Sequence, residues 1–152
     1  MPGLARLRRL RGRDAVLLGQ ALTAILRVRF YLLRRRHHAL RRMIESLPVP
    51  HGRAVPNGDL AAVAWSVRNA ARLVPGATCL TQASAGQLLL AQRGYATTVR
   101  LSVPVRGGAG KGLAPHAWLM AGDTIVLGGT PAEYDRHRTL HDFDMPGIEA
   151  WP

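Results

Sequence analysis

The spacing of apolar residues along this chain changes once, at Gly94, and that change decides its fold class. Before Gly94 the spacing is helical. Leu18, Leu22, Ile25, Leu26, Phe30 and Leu33 recur every three or four residues and predict a helix over about 13–36 with that stripe inward. Leu40, Met43, Ile44 and Leu47 continue the period over 39–47, and Leu60, Val63, Ala64, Val67, Ala70 and Ala71 continue it over 59–73. Trp65 falls inside that third run and is read as packing. A fourth helix opens near Cys79 and runs to 92 or 93, with Gly94 supplying a left-handed stop. After Gly94 the pattern alternates. Val99, Leu101, Val103 and Val105 take one face and Thr98, Arg100 and Ser102 the other, as in a strand with one buried side. Residues 115–121 and 124–127 then form a hairpin around Gly122-Asp123, and the tail over 131–152 has no clear period. Helices first and strands afterwards imply an α+β fold with an antiparallel sheet.

Charge divides the chain differently. The net charge is +12, but residues 1–53 hold 13 arginines against Asp14 and Glu45, a net +11, and the remainder is almost neutral. The expected division is therefore a basic helical extension over 1–53 and a second domain over 54–152, joined by a loop rich in proline and glycine. Such asymmetry commonly serves an acidic partner, nucleic acid or an anionic membrane surface. The apolar stretch from Ala15 to Leu33 contains Arg27 and Arg29, each of which costs about 2.5–3.5 kcal/mol at a bilayer centre. That argues against a transmembrane segment. Arg27-Val28-Arg29 also stands where a secretory signal needs a small-residue cleavage site, so the stretch reads as a helix packed on the domain, with its arginines in water. Gly107 to Lys111 imitates part of a phosphate-binding loop. It lacks the full spacing, the following Ser or Thr and a strand-to-helix setting, and reads as a mobile connection.

One cysteine allows no intrachain disulfide, and no cysteine–histidine cluster has zinc spacing, so no metal or cofactor is expected. The surroundings of Cys79 suggest chemistry instead. Thr78 is the expected N-cap, which puts Cys79 in the first helical turn, among unpaired backbone N–H groups and at the positive end of the helix dipole. Both favour thiolate over thiol. Downstream, Pro115-His116-Ala117-Trp118 offers a histidine on a strand. A cysteine at a helix start with a later histidine is the outline of a cysteine acyl-transfer enzyme: the thiolate attacks, the imidazole moves the proton, and the helix N–H groups form an oxyanion hole. Ala83 and Gly86, on the helix face of Cys79, are small enough to let a sheet approach.

The run from Leu73 to Leu90, the block Gly94-Tyr95-Ala96-Thr97-Thr98-Val99-Arg100-Leu101-Ser102-Val103 and His116-Ala117-Trp118 together resemble the lasso-peptide leader peptidase, over roughly residues 59–129. The resemblance implies a papain/transglutaminase-like α+β core, its catalytic helix packed on a small antiparallel sheet behind an N-terminal helical extension. It implies Cys79 as nucleophile and His116 as general base and acid, without a cofactor. It further implies a cytoplasmic enzyme that removes the leader from a ribosomally made precursor. A small leader-recognition protein would deliver that precursor, and a lasso cyclase would act next. Two departures stand out. The best-understood members carry an aspartate to orient the histidine at the position of Gly128, and members commonly have an acid at that of Met120. Asp123 lies roughly 16–20 Å from His116 along a regular hairpin, out of hydrogen-bond reach. Glu133, Asp135, the amide of Gln82 and a backbone carbonyl remain as orienting groups.

Two other functions fit the same residues. A transglutaminase-like amidase or acyl transferase would resolve the thioester with water or an amine. A basic binding protein would use the N-terminal arginines and keep Cys79 as structure. The second is disfavoured for nucleic acid because aromatic residues, which stack on bases, make up only 5% of the chain.

Overall fold

The structure, a computed structural model, describes residues 11–105 and 114–145. The glycine-rich connection over 106–112, with its phosphate-loop look-alike, and the two chain ends lie outside the described residues. Four helices come first: α1 (Gly12–Leu33), α2 (His37–Glu45), α3 (Asn57–Ala71) and α4 (Cys79–Gln92). They are followed by β1 (Thr98–Pro104), β2 (His116–Ala121), β3 (Thr124–Leu127), a single-turn α5 (Pro131–Tyr134) and β4 (His137–Phe143). The strands form one antiparallel sheet in the order β3-β2-β1-β4. The expected α+β architecture is present.

Helix α4 is the centre of the molecule. It packs against α1 and α3 on one side and against the sheet, chiefly β2, on the other. That is why its residues from Ala83 to Ala91 are all buried. Gly86 sets the closeness of the helix to the sheet: a methyl added there would sit 2.6 Å from Leu119 Cδ2 and 3.0 Å from Leu127 Cδ1. The helix ends where the sequence predicts. Gly94 turns left-handed at φ +80°, and Gly94 and Tyr95 return their N–H groups to the carbonyls of Ala91 and Leu90. Gln87, fully buried, ties the layers together. Its Nε2 donates to the carbonyls of Thr97 and Phe143, both at 2.9 Å, and its Oε1 accepts from Arg41 of α2 at 2.6 Å.

Three readings of the apolar pattern need correction. In α1 the buried face is Ala21, Ala24, Ile25 and Val28, whereas Leu26, Phe30 and Leu33 are half or more exposed. Small residues win the inner face because α1 lies against Val63, Ala64, Val67 and Ala70, a surface that admits close helix packing. Trp65 is also on the surface, 36% exposed. The sheet, finally, is covered on both sides: Ala117 and Leu119 are buried, as are Trp118, Met120 and Ser102. A strict in-and-out alternation therefore fails on β1, where Ser102 is buried and Leu101 and Val103 are only half-buried.

Helix α1 is, by length and composition, sufficient to cross a membrane. It nonetheless contributes four residues to the common core, and α2 with its following loop adds Leu40, Ile44 and Val49. Its end is an αL cap built on Arg35 at φ +54° rather than on glycine, with Arg35 and Arg36 donating to the carbonyls of Leu32 and Tyr31.

Candidate active site

Cys79 is the first residue of α4, free and half-buried. Thr78 caps the helix in extended conformation, its Oγ1 accepting from the Thr81 N–H at 3.3 Å, while its carbonyl accepts from Gln82. Cys79 and Leu80 precede the first residue that can find an intrahelical acceptor, so their N–H groups are the ones open to a developing oxyanion. The loop before the cysteine is anchored from the N-terminal helix: Arg29 Nη1 donates to the Gly76 carbonyl at 2.7 Å. The arginines of α1 are thus not all in water.

His116 is the first residue of β2. Arg68, Cys79, Gln82, His116, Leu127, Gly128 and Gly129 line a single cleft of about 280 Å³. The two residues singled out by sequence therefore border the same space. The histidine ring is oriented by main chain: Nε2 lies 2.7 Å from the Gly128 carbonyl. A carbonyl only accepts, so Nε2 carries the proton and Nδ1 is left as the basic nitrogen. Of the orienting groups that the sequence left open, the backbone carbonyl is the one found, and it belongs to Gly128, where the resemblance implies an aspartate. The reason no side chain stands there is steric. Gly128 has φ +128°, and a Cβ would come within 2.6 Å of Trp118 Cε3 and 3.2 Å of the Ala117 carbonyl.

Among the described residues, none of the side chains of Asp123, Glu133, Asp135 and Gln82 is hydrogen-bonded to His116. Asp123 and Asp135 line a different cavity, beside Arg100 and Tyr134. Glu133 closes the capping box of α5, accepting from Thr130 N at 2.7 Å and Thr130 Oγ1 at 3.0 Å. Those bonds, and the neighbouring His116 and Arg136, hold its carboxyl below the usual range. Gln82 borders the cleft, but its amide donates to the Ala77 carbonyl at 3.3 Å.

Behind His116 stands an aromatic cluster that the sequence reading missed. The Trp118 ring meets His116 edge-on at 4.6 Å between centroids, and His137 and Tyr134 at 5.4 and 5.2 Å. Trp118 Nε1 donates to Ser102 Oγ at 2.7 Å, and that oxygen lies 2.9 Å from His137 Nδ1. Since the indole can only donate, the serine hydroxyl is free to donate onward to a neutral His137. Burial, and then the nearby His116, push the His137 pKa down, with Glu133 opposing. Tyr134 is held by Arg100, which forms a two-pronged pair with Asp142, both contacts at 2.8 Å. The Thr130-x-x-Glu133 capping box was the one local signal that could have announced α5 and this cluster.

A pH prediction arises from His137. Its folded pKa lies below the ordinary 6.5, so the unfolded chain binds the proton more readily. The stability that neutral His137 confers is complete above pH 6.5 and is lost as the pH falls below that value. Wild-type Tm is expected to drop between about pH 7 and 5, and His137→Asn should flatten that slope. Parallel slopes in the two proteins would refute this assignment.

An α+β core with a cysteine at the start of its central helix, facing a cleft shared with a strand histidine, is the arrangement of the papain- and transglutaminase-like fold, whose members are commonly cysteine-dependent enzymes. The family model of the transglutaminase-like superfamily matches residues 22–141, most of the chain, and the protein belongs to that superfamily. No match is found among curated proteins or solved structures.

Proposed function

We propose that the protein is a cysteine peptidase that removes the leader from a ribosomally synthesised lasso-peptide precursor. The observation that carries the catalytic part is the cleft shared by Cys79 and His116, with the imidazole fixed by the Gly128 carbonyl. The superfamily membership supports thiol chemistry, and the sequence resemblance over roughly 59–129 supports the leader as substrate.

In this reading His116 Nδ1 takes the thiol proton and the Cys79 sulfur attacks the scissile carbonyl, forming the C–S bond. The oxyanion is met by the N–H groups at the start of α4. Collapse breaks the C–N bond, and His116 returns its proton to the leaving amine, which is the N-terminus of the core peptide. A water then gives its proton to His116 and attacks the thioester, releasing the leader carboxylate and the thiol. The precursor arrives on a small recognition protein in the cytoplasm, and a lasso cyclase consumes the freed core.

The superfamily equally supports a second reading, in which Cys79 attacks a glutamine side-chain carboxamide, ammonia leaves, and an amine instead of water resolves the thioester. Mass spectrometry of a precursor treated with the protein and its recognition partner separates the two. Peptidase action yields leader and core whose masses add up to precursor plus water. A product heavier than the precursor, with no cut, would mean acyl transfer and refute the peptidase.

A further inference from the structure

The cleft has a charged wall that the proposed mechanism does not use. Arg68, on α3, borders it directly, and its Nη2 donates to the Val126 carbonyl at 3.3 Å, on the strand that leads to Gly128. This single bond ties the guanidinium to the cleft edge and leaves most of its five N–H donors unspent. Arg72, the C-cap residue of α3, lies one turn further on the same face, and Trp65 lies one turn before. All three are exposed at the surface. Like charges four residues apart on a helix repel. Among the described residues neither arginine forms an ion pair, since the two that exist are Arg41–Glu45 and Arg100–Asp142. The last turn of α3 and the Val126 carbonyl both favour a cation here, yet they leave most of its donors unused at the cleft mouth. A ligand anion would use them.

We propose that the α3 face headed by Arg68 binds the side-chain carboxylate of an acidic residue beside the scissile bond, with Arg72 adding attraction and Trp65 an apolar surface. Arg68 is then a specificity-determining residue: a guanidinium fork matches a carboxylate in two hydrogen bonds, and a lysine in the same place meets like charge. The inference rests on the peptidase reading for its site, but its test does not need turnover.

The probes are dye-labelled pools of short peptides that differ at one fixed position, Asp, Asn or Lys, all amidated at the C-terminus. A fourth pool carries Asn and a free C-terminal carboxylate. Binding is read by fluorescence anisotropy on Cys79→Ala protein, so the result stands whatever reaction Cys79 performs. The Asp pool should bind about tenfold more tightly than the Lys pool, Arg68→Gln should erase the preference, and Arg68→Glu should reverse it. Arg42→Glu, an exposed charge change on α2, should leave it intact. Thermal melts establish that each variant is folded. Equal binding of the Asp and Lys pools, or a preference that survives both Arg68 variants, overturns the proposal. So does binding of the free-carboxylate pool as tight as that of the Asp pool, which would move the ligand to a chain end.

Discussion

Cys79→Ala is expected to lower leader release by at least about a thousandfold while leaving the fold intact, because it deletes the nucleophile and little packing. The residue is half-buried and its partners in the first turn, Thr78 and Thr81, bond to each other and to backbone rather than to sulfur. His116→Ala should cost a similar factor, since without the imidazole neither the thiol proton nor the leaving amine is served. The two losses are not expected to add in the double variant, because the residues act as one unit. Steady-state cleavage of the precursor measures all three. Additive losses, or a His116 variant with near-normal rate, would mean that the two side chains work apart.

Gly128→Ala should be nearly as damaging, though it touches no reacting atom. The residue combines a positive φ with a Cβ position already occupied by Trp118, so alanine must move either the loop or the indole. The expected loss of stability is about 1–3 kcal/mol. The carbonyl that fixes His116 moves with the loop, and a misplaced imidazole should cost a further factor of about a hundred in kcat measured below the new Tm. Asp123→Asn and Asp135→Asn, which alter acids on either side of Gly128 in sequence, should leave kcat unchanged. If either of them behaved like Gly128→Ala, the main-chain carbonyl would not be the orienting group.

What the sequence made legible were features written in short stretches. The Thr78 cap, the first-turn cysteine, the glycine stop at 94 and the hairpin at 122–123 each depend on a few neighbours, and each was found where expected. The inner face of α1 was not legible. Periodicity weights large apolar residues, whereas close packing against α3 selected Ala21 and Ala24 and left Phe30 outside. Strand β4 was hidden for another reason: it is an edge strand whose middle residues are exposed, with Leu140 bulged into solvent, so it carries no alternation. The orienting group escaped because a backbone carbonyl has no signature of its own. Only the Gly128-Gly129 pair, both at positive φ, marked the place. Arg68 escaped too, because on α3 it reads as an ordinary solvated charge until the cleft beside it is known.

The most direct test is to mix the protein with precursor and recognition partner, quench with acid within a single turnover, and weigh the intact protein. A species heavier by the leader minus one water, mapped to Cys79 and removed by a thioester-cleaving amine, is the predicted result. Complete cleavage of the precursor with no mass attached to that sulfur, at the same rate in Cys79→Ala, would contradict the account.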